Sequence, residues 1–151
     1  MIESKDLKKI EFFQDFTEEE LEALNHLCRE ERYMAGAFVF KEGAPADSLF
    51  VLKEGRVSID VEVTGGKQVS VFTLSHFAEP FGWSAIVEPF VCTASARCME
   101  DSIVFSIDGK ALVDLIDNDY RLGFLVMRRV AKMMSGRVRK TRLQLIHTLY
   151  G

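Results

Sequence analysis

Apolar residues near the start of the chain recur at helical spacing. Thr17, followed three residues later by Glu20, has the pattern of a capping box, which begins a helix. The apolar residues that follow fall on one helical face, namely Leu21, Leu24, Leu27 and Cys28. The pattern predicts an N-terminal helix over residues 17–31.

In the middle of the chain the period of the pattern changes to two. Residues 56–63 alternate for eight positions, which predicts a strand with one buried and one solvent-exposed face. The TGGK sequence at 64–67 predicts a hairpin turn into the next strand. Six strands are predicted, at 37–40, 48–52, 56–63, 68–74, 93–97 and 102–107. Closely spaced strands with glycine turns favour an antiparallel barrel over residues 36–107.

The last part of the chain, residues 109–148, returns to helical spacing. A short helix is predicted over 109–116 and a long one from Tyr120 to His147, about 42 Å in length. That length exceeds what a domain of this size can cover, so the protruding half needs a partner or must stay polar. One stripe at three- and four-residue spacing predicts a dimer seam, made of Met127, Val130, Met134, Val138, Thr141 and Leu145.

A second stripe, made of Leu122, Leu125 and Val126, is predicted to face the barrel. The alternative to a dimer is an intramolecular helix that buries both stripes. We expect a homodimer through Tyr120–His147.

Composition narrows the class of protein. The chain has 151 residues, 48% of them hydrophobic, which suits one globular domain over 1–151. Three cysteines at irregular spacing favour free thiols in a reducing compartment over a disulfide framework. The charged N-terminus has no signal-peptide pattern, and no apolar run is long enough to span a membrane. A cytoplasmic location is the expectation.

Charge is unevenly distributed along the chain. Residues 120–151 hold eight basic and no acidic side chains, whereas the remaining 119 residues hold 11 basic and 23 acidic ones. A nucleic acid or an anionic membrane would suit such a basic helix. The interpretation that we favour is complementarity with the acidic body of the same chain or its twin.

Two short motifs lie inside the predicted barrel, FGWSAI at 81–86 and TASA at 93–96. With the order of helix, short strands and long helix, they resemble the cyclic nucleotide-binding domain family. Members include the effector domains of catabolite-activator/FNR-type regulators, the regulatory subunits of protein kinase A and gated channels. The resemblance covers residues 7–149. It implies a mainly β fold with helical ends, a double-stranded β-helix or jelly-roll-like antiparallel barrel, and a C-terminal helix that pairs with its twin.

In that family a phosphate-binding cassette combines a short helix after Phe-Gly, which aims backbone N–H groups at the cyclic phosphate, with a glutamate and an arginine. Here Trp83 stands at the glutamate position and Cys92 at the arginine position. Arg97, the nearest arginine, is expected to belong to the following strand. Losing one charge-assisted bond costs about 1.5–3 kcal/mol, so the resemblance implies weakened affinity for cAMP and cGMP. The ligand-binding residues implied are Phe72, Phe81, Gly82, Trp83, Ser84, Ala85, Cys92, Thr93 and Ala94.

Three alternatives follow for this pocket. A cyclic nucleotide binds through backbone N–H groups, with Trp83 stacking on it; another small, less anionic effector binds; or Trp83 and Phe90 fill the pocket and the domain only dimerises or docks. No cofactor or metal is expected, because the chain has no cluster with metal-ligand spacing.

Catalysis is not expected. No nucleophile, base and orienting group can be assembled from the motifs, and the histidines, His26, His76 and His147, lie on unlike elements. We therefore predict a regulatory sensing domain that signals through its terminal helix. The alternatives are a ligand-free docking module or the effector fragment of a transcription regulator. Direct DNA binding is not expected, since the chain carries no helix-turn-helix after the long helix.

Overall fold

A computed structural model describes residues 3–75 and 79–151. His76 lies outside these ranges. The elements in chain order are α1 Ser4–Leu7, a 3₁₀ turn Glu11–Phe13, α2 Glu18–Asn25, β1 Cys28–Tyr33, β2 Phe38–Phe40, β3 Ser48–Glu54, β4 Arg56–Val63, β5 Lys67–Ser75, a 3₁₀ turn Trp83–Ala85, β6 Ser95–Cys98, β7 Ser102–Asp108, α3 Gly109–Asn118 and α4 Tyr120–Tyr150.

The strands form two antiparallel sheets that face each other. One sheet has the order β1-β7-β3 and the other has the order β2-β6-β4-β5. β4 pairs with β5 through the predicted hairpin and also with β6. This is the jelly-roll-like arrangement of a mainly β protein with helical ends, as predicted from the sequence.

Two apolar cores flank the three-stranded sheet. The core between the sheets contains Phe50, Leu52, Val57, Phe81 and Val104. The other core lies on the opposite face of β3 and β7, where the helical ends pack. Alternation along a strand explains the division, because consecutive side chains of β3 point to opposite faces. The helices are thereby held against the barrel.

The N-terminal helix is shorter than predicted. Thr17 and Glu20 form the expected capping box, but α2 ends at Asn25. Residues Cys28–Tyr33 form β1, which pairs with β7 along its whole length. The prediction that the helix continues to residue 31 is therefore wrong. The segment CREERY is polar, and its pairing with a distant strand decides its conformation.

β4 also departs from its predicted pattern. Four consecutive residues, Val57–Asp60, are buried, although the alternation predicted an exposed face. Ser58 and Asp60 are 1% and 3% exposed and share a hydrogen bond, while Arg97 forms an ion pair with Asp60. Polar side chains of the neighbouring strands, such as Ser70 on β5 and Arg97 on β6, cover Ser58 and Asp60. The face is therefore buried although it is polar, and alternation of polar and apolar residues could not predict that.

The long helix α4 packs by its first half only. Leu122, Leu125 and Val126 are buried as predicted. Val130 is also buried, at 7% exposure in the core of the helical ends, so its assignment to the dimer seam is wrong. The rest of the predicted seam is exposed, and every residue from 138 to 150 is exposed. Across the described ranges, no helix has both the length and the hydropathy needed to cross a bilayer.

Candidate ligand-binding site

The segment that resembles the phosphate-binding cassette begins with a tightly held turn. The backbone of Phe81 exchanges hydrogen bonds of 2.9 and 2.8 Å with Phe50. Gly82 follows with φ of +86°, and a Cβ there would lie 3.0 Å from the carbonyl oxygen of Ser48, so the position requires glycine. The helix after it, Trp83–Ala85, is a single 3₁₀ turn.

Trp83 does not face the space between the two sheets. Its indole packs on Phe12, with ring centroids 5.2 Å apart, and belongs to the core of the helical ends. The indole Nε1 is buried without a hydrogen-bond partner among residues 3–75 and 79–151. Phe90, the other residue expected to fill the pocket, is 40% exposed. Neither residue therefore occupies the interior beside the cassette.

Aromatic rings occupy that interior instead. Phe40, Phe50 and Phe81 form a cluster in which the ring centroids lie 5.5 to 6.1 Å apart. Ala94 and Ala96 pack against the same core. Such ring contacts add about 0.5–1.5 kcal/mol per pair beyond the burial of area. The part of the barrel next to the cassette is thus a packed aromatic core.

The second half of the cassette carries no cation. Cys92 is buried, and its backbone exchanges hydrogen bonds of 2.8 Å with Ala44 and Gly43. Burial raises the pKa of the Cys92 thiol, so it stays uncharged. Thr93 is exposed, and Ser84 is half-buried. Arg97 lies in β6 as expected and pairs with Asp60, with 3.5 Å between Nε and Oδ2.

A groove of about 650 Å³ lies between β5 and α4. Of the residues that the sequence assigned to a ligand site, Phe72 lines it, and Thr141 of the expected dimer seam lines it as well. The other lining residues are Glu11, Phe12, Val71, Thr73, Leu74, Glu79, Arg129, Lys132, Met133, Gly136, Arg137, Lys140 and Gln144. We call this cavity the β5–α4 groove.

The sequence analysis missed most of the groove because its walls come from four separate segments. The one available signal was the basic character of the terminal helix, which supplies Arg129, Lys132, Arg137 and Lys140 to the lining. Nothing local in the sequence indicates that Phe12 or Glu79 faces the same space.

The guanidinium of Arg137 lies over the ring of Phe72, 3.8 Å from its centroid. This cation–π contact is worth about 0.5–2 kcal/mol. Burial lowers the pKa of Arg137, while the nearby charge of Glu79 acts in the opposite direction. No described carboxylate lies within ion-pair distance of Arg137.

Glu79 also lines this groove, and its carboxyl is partly buried there. Burial raises the pKa of its carboxyl, and the charge of Glu11 adds to the effect. Its Oε2 atom is buried without a hydrogen-bond partner among the described residues. A buried polar atom of this kind is costly unless a bound molecule supplies a partner.

Ion pairs occupy the end of the groove nearest the N-terminus. Arg129 contacts both Asp15 and Glu11, and Lys132 contacts Glu11. Arg121 pairs with Glu20 and Arg128 with Asp15. Half of the basic residues in the terminal helix are therefore matched by acidic residues of the N-terminal segment, in line with the interpretation favoured from the charge distribution.

A family model for the cyclic nucleotide-binding domain matches residues 30–119 of the chain. The fold and the match together define the class, and the chain belongs to the cyclic nucleotide-binding domain family. It is 30% identical to a crystallised protein of Geobacter metallireducens to which cyclic nucleotide binding is ascribed. That comparison covers 91% of this chain and 99% of the other, with a TM-score of 0.79.

Relatives with assigned roles are more distant. The chain is 25% identical over 144 residues to the CRP-like cAMP-activated global transcriptional regulator of Mycobacterium tuberculosis, covering 95% of this chain and 62% of the regulator. It is 22% identical over 111 residues to the cGMP-dependent protein kinase egl-4 of Caenorhabditis briggsae, covering 73% of this chain and 15% of the kinase. The chain thus spans less than two thirds of either relative.

Proposed function

We propose that this chain is a regulatory domain that senses a small molecule in the β5–α4 groove and signals through α4. One observation carries the proposal: the groove has one wall on the barrel, at Val71–Leu74, and the other on α4, from Arg129 to Gln144. A ligand there contacts both elements at once. It would stabilise one position of the helix over another, which is a population shift.

The cassette supports a ligand other than the usual cyclic nucleotide. Trp83 packs in the helical core, and Cys92 is buried and uncharged, so neither supplies the contacts of the family's glutamate and arginine. We expect weak affinity for cAMP and cGMP. Catalysis is not part of the proposal.

A ligand-free dimerisation module is the second candidate. It is favoured by the exposed apolar residues on the distal part of α4, where Met134, Val138 and Leu145 are 38%, 56% and 57% exposed. A second copy covering this seam would give a dimer in which the two helices pair. In the sensing proposal, the same pairing transmits the signal.

The test uses a variant that fills the groove without disturbing the fold. Gly136 lines the groove, and a Cβ there would meet nothing within 4 Å, so Gly136→Leu places a side chain in the cavity. Ser135→Leu, at the exposed neighbouring position, is the matched control. A metabolite panel that includes cAMP and cGMP is titrated against both variants and the wild-type chain by calorimetry.

We expect at least one compound to bind the wild-type chain and Ser135→Leu but not Gly136→Leu. Hydrogen exchange in α4 should then slow in the presence of that compound. Equal binding to all three proteins would place the ligand elsewhere. Micromolar binding of a cyclic nucleotide that is lost only on substitution of Thr93 would mean that the ligand binds at the cassette. If no compound of the panel binds, the dimerisation module becomes the favoured function.

A further inference from the structure

The cations of the β5–α4 groove are divided into two pairs with different surroundings. Arg129 and Lys132 are matched by Glu11 and Asp15 at the end nearest the N-terminus. Arg137 and Lys140, one and two turns further along α4, make no ion pair with any carboxylate in the described part of the chain. The distal end of the groove therefore carries two positive charges without an ion-pair contact among the described residues, and Glu79 acts on Arg137 only at longer range.

The surroundings of Arg137 strengthen the interaction that its charge can make with an anion. The guanidinium is half-buried against the face of Phe72 rather than extended into water. A cation held in a partly desolvated site interacts with an anion more strongly than one in bulk water. An arginine also offers planar, paired donors that match a carboxylate or a phosphate.

The remaining walls are largely apolar. Phe12 and Met133 face the groove from the helical side, and Val71, Phe72 and Leu74 face it from β5. A volume of about 650 Å³ falls within the range of about 300–1,000 Å³ that holds small organic ligands. Inorganic phosphate alone would leave these walls uncovered, whereas a ring system would cover them.

We infer that the ligand of the groove is an organic anion: a flat apolar ring system that packs between Phe12, Phe72 and Met133 and carries a carboxylate or phosphate bound by Arg137 and Lys140. Glu79 lines the same space, and its Oε2 atom has no partner in the described part of the chain, so a donor group on the ring system would complete the site. This inference deepens the proposed function and rests on it, because it assigns a ligand class to the same groove. The anion is held here by the terminal helix and not by the cassette segment 81–94.

The first experiment compares two fluorescent probes that share an arylaminonaphthalene ring system. 8-Anilinonaphthalene-1-sulfonate carries a negative charge, and N-phenyl-1-naphthylamine does not. We expect saturable binding of the anionic probe at one site per chain, with at least about tenfold weaker binding of the neutral probe, the effect of one charge-assisted contact. Energy transfer from Trp83, the only tryptophan, reports the location, because its ring contacts Phe12 of the groove wall.

Variants separate the charge from the cavity. Arg137→Gln should weaken the anionic probe by about tenfold and leave the neutral probe unchanged, since only the charge-assisted contact is lost. Arg139→Gln, at an exposed position outside the groove lining, is the matched control and should change neither probe. Competition by 1-naphthyl phosphate and by 1-naphthoate then distinguishes a phosphate from a carboxylate as the preferred anion.

The outcomes separate the inference from the proposed function. Equal affinity for the two probes, with Gly136→Leu blocking both, would overturn the anionic class and leave the groove as a binding site. Binding of the anionic probe that neither Gly136→Leu nor Arg137→Gln affects would overturn both, because the probe would then be on another surface. Loss of anionic binding in both Arg137→Gln and Arg139→Gln would reduce the effect to general charge and would also overturn the inference.

Discussion

Trp83 occupies the position where the family resemblance implies a glutamate, and its packing decides what that position can do. The indole lies against Phe12 in the core of the helical ends, and its buried Nε1 has no hydrogen-bond partner among the residues that the structure describes. A side chain committed to that core cannot also bind a ribose hydroxyl. At the residue scale, Trp83 keeps its place in the motif after Gly82, but its side chain contributes to the packing of the core and not to a ligand site.

Glu79 gives a prediction with a definite pH dependence. Its pKa is raised in the folded protein, so protonation favours folding and the charged form opposes it. Glu79→Gln should therefore raise the thermal midpoint at neutral pH, where the carboxyl of the wild type must ionise against burial. The gain should shrink as the pH falls below the ordinary carboxyl pKa, because both proteins are then uncharged at residue 79.

The measurement is a series of thermal midpoints across the acid to neutral range. Glu88→Gln serves as the control, because Glu88 is exposed and its side chain forms no ion pair or hydrogen bond with the described residues. A Glu79→Gln midpoint below that of the wild type at neutral pH would contradict the prediction and would mean that the attraction of the Glu79 carboxylate to Arg129 and Lys132 outweighs the cost of burial.

At the scale of elements, α2 depends on its cap. The hydroxyl of Thr17 accepts a hydrogen bond from the backbone N–H of Glu20, and the Glu20 carboxylate accepts one from the N–H of Thr17. Glu20 also pairs with Arg121 of α4, so the capping box connects the first helices to the last. Because α2 has only eight residues, it needs these contacts to remain ordered.

Thr17→Ala should lower the free energy of unfolding by about 1 kcal/mol, since an N–H of the first turn loses its partner. Thr17→Ser retains a hydroxyl and should stay close to the wild type. Urea denaturation of the three proteins measures the difference. Equal midpoints for the alanine and serine variants would show that the cap contributes nothing to stability.

Two glycines in turns allow a direct comparison, Gly55 between β3 and β4 and Gly36 between β1 and β2. Gly55 has φ of +103°, and a Cβ there would lie 2.2 Å from Ser102 Oγ and 2.8 Å from the carbonyl oxygen of Asp101. Gly36 has φ of +88° with nothing within 4 Å of its Cβ position. Both glycines relieve backbone strain, but only Gly55 also permits a close approach of two chain segments.

We expect Gly36→Ala to cost about 1–3 kcal/mol from backbone strain alone. Gly55→Ala should cost more than Gly36→Ala, because the added methyl group overlaps with the β6–β7 turn as well. Denaturant midpoints of the two variants give the comparison. A larger loss for Gly36→Ala than for Gly55→Ala would contradict the interpretation of the close contact.

For the molecule as a whole, charge divides α4 into two halves. The first half is matched by Glu11, Asp15 and Glu20, while the second presents basic residues and exposed apolar ones without a matching carboxylate among the described residues. Residues 120–151 contain no acidic side chain, so two copies of the helix bring only like charges together. Under the dimer proposal, association of two copies is therefore opposed by repulsion.

Self-association should consequently become tighter as salt increases. Raising the salt from about 0.1 M to about 1 M shortens the Debye length from about 10 Å to about 3 Å, which screens the like charges. Sedimentation at both concentrations measures the shift. The double variant Arg139→Gln and Arg142→Gln should associate more tightly than the wild type at the lower salt.

Val138→Asp should abolish association at either salt concentration, because Val138 is exposed in the proposed seam and contributes nothing to the core. Ser135→Asp, at an exposed position outside the proposed seam, is its control. A chain that is monomeric at all concentrations and both salts would remove the dimer from the proposal and leave the distal half of α4 to another partner.

The sequence by itself determined the local features of this protein. Period-two alternation at 56–63 and 68–74, with short runs between turns, predicted six of the seven strands in the described residues. Thr17 and Glu20 predicted the capping box, and residues 120–147 predicted the long helix. Each of these patterns follows from backbone geometry within a few residues. The order of these elements, with FGWSAI and TASA, was sufficient for the family.

Tertiary structure decided everything that depends on residues far apart in the chain. β1 forms because a polar segment pairs with β7. Val130 is not part of the exposed seam because it packs in the core of the helical ends. The β5–α4 groove joins Phe12 and Glu79 to β5 and α4, a juxtaposition that no local pattern encodes. The physical reason is that periodicity records which face of an element is apolar, whereas the identity of the opposing surface is set only when the whole chain packs.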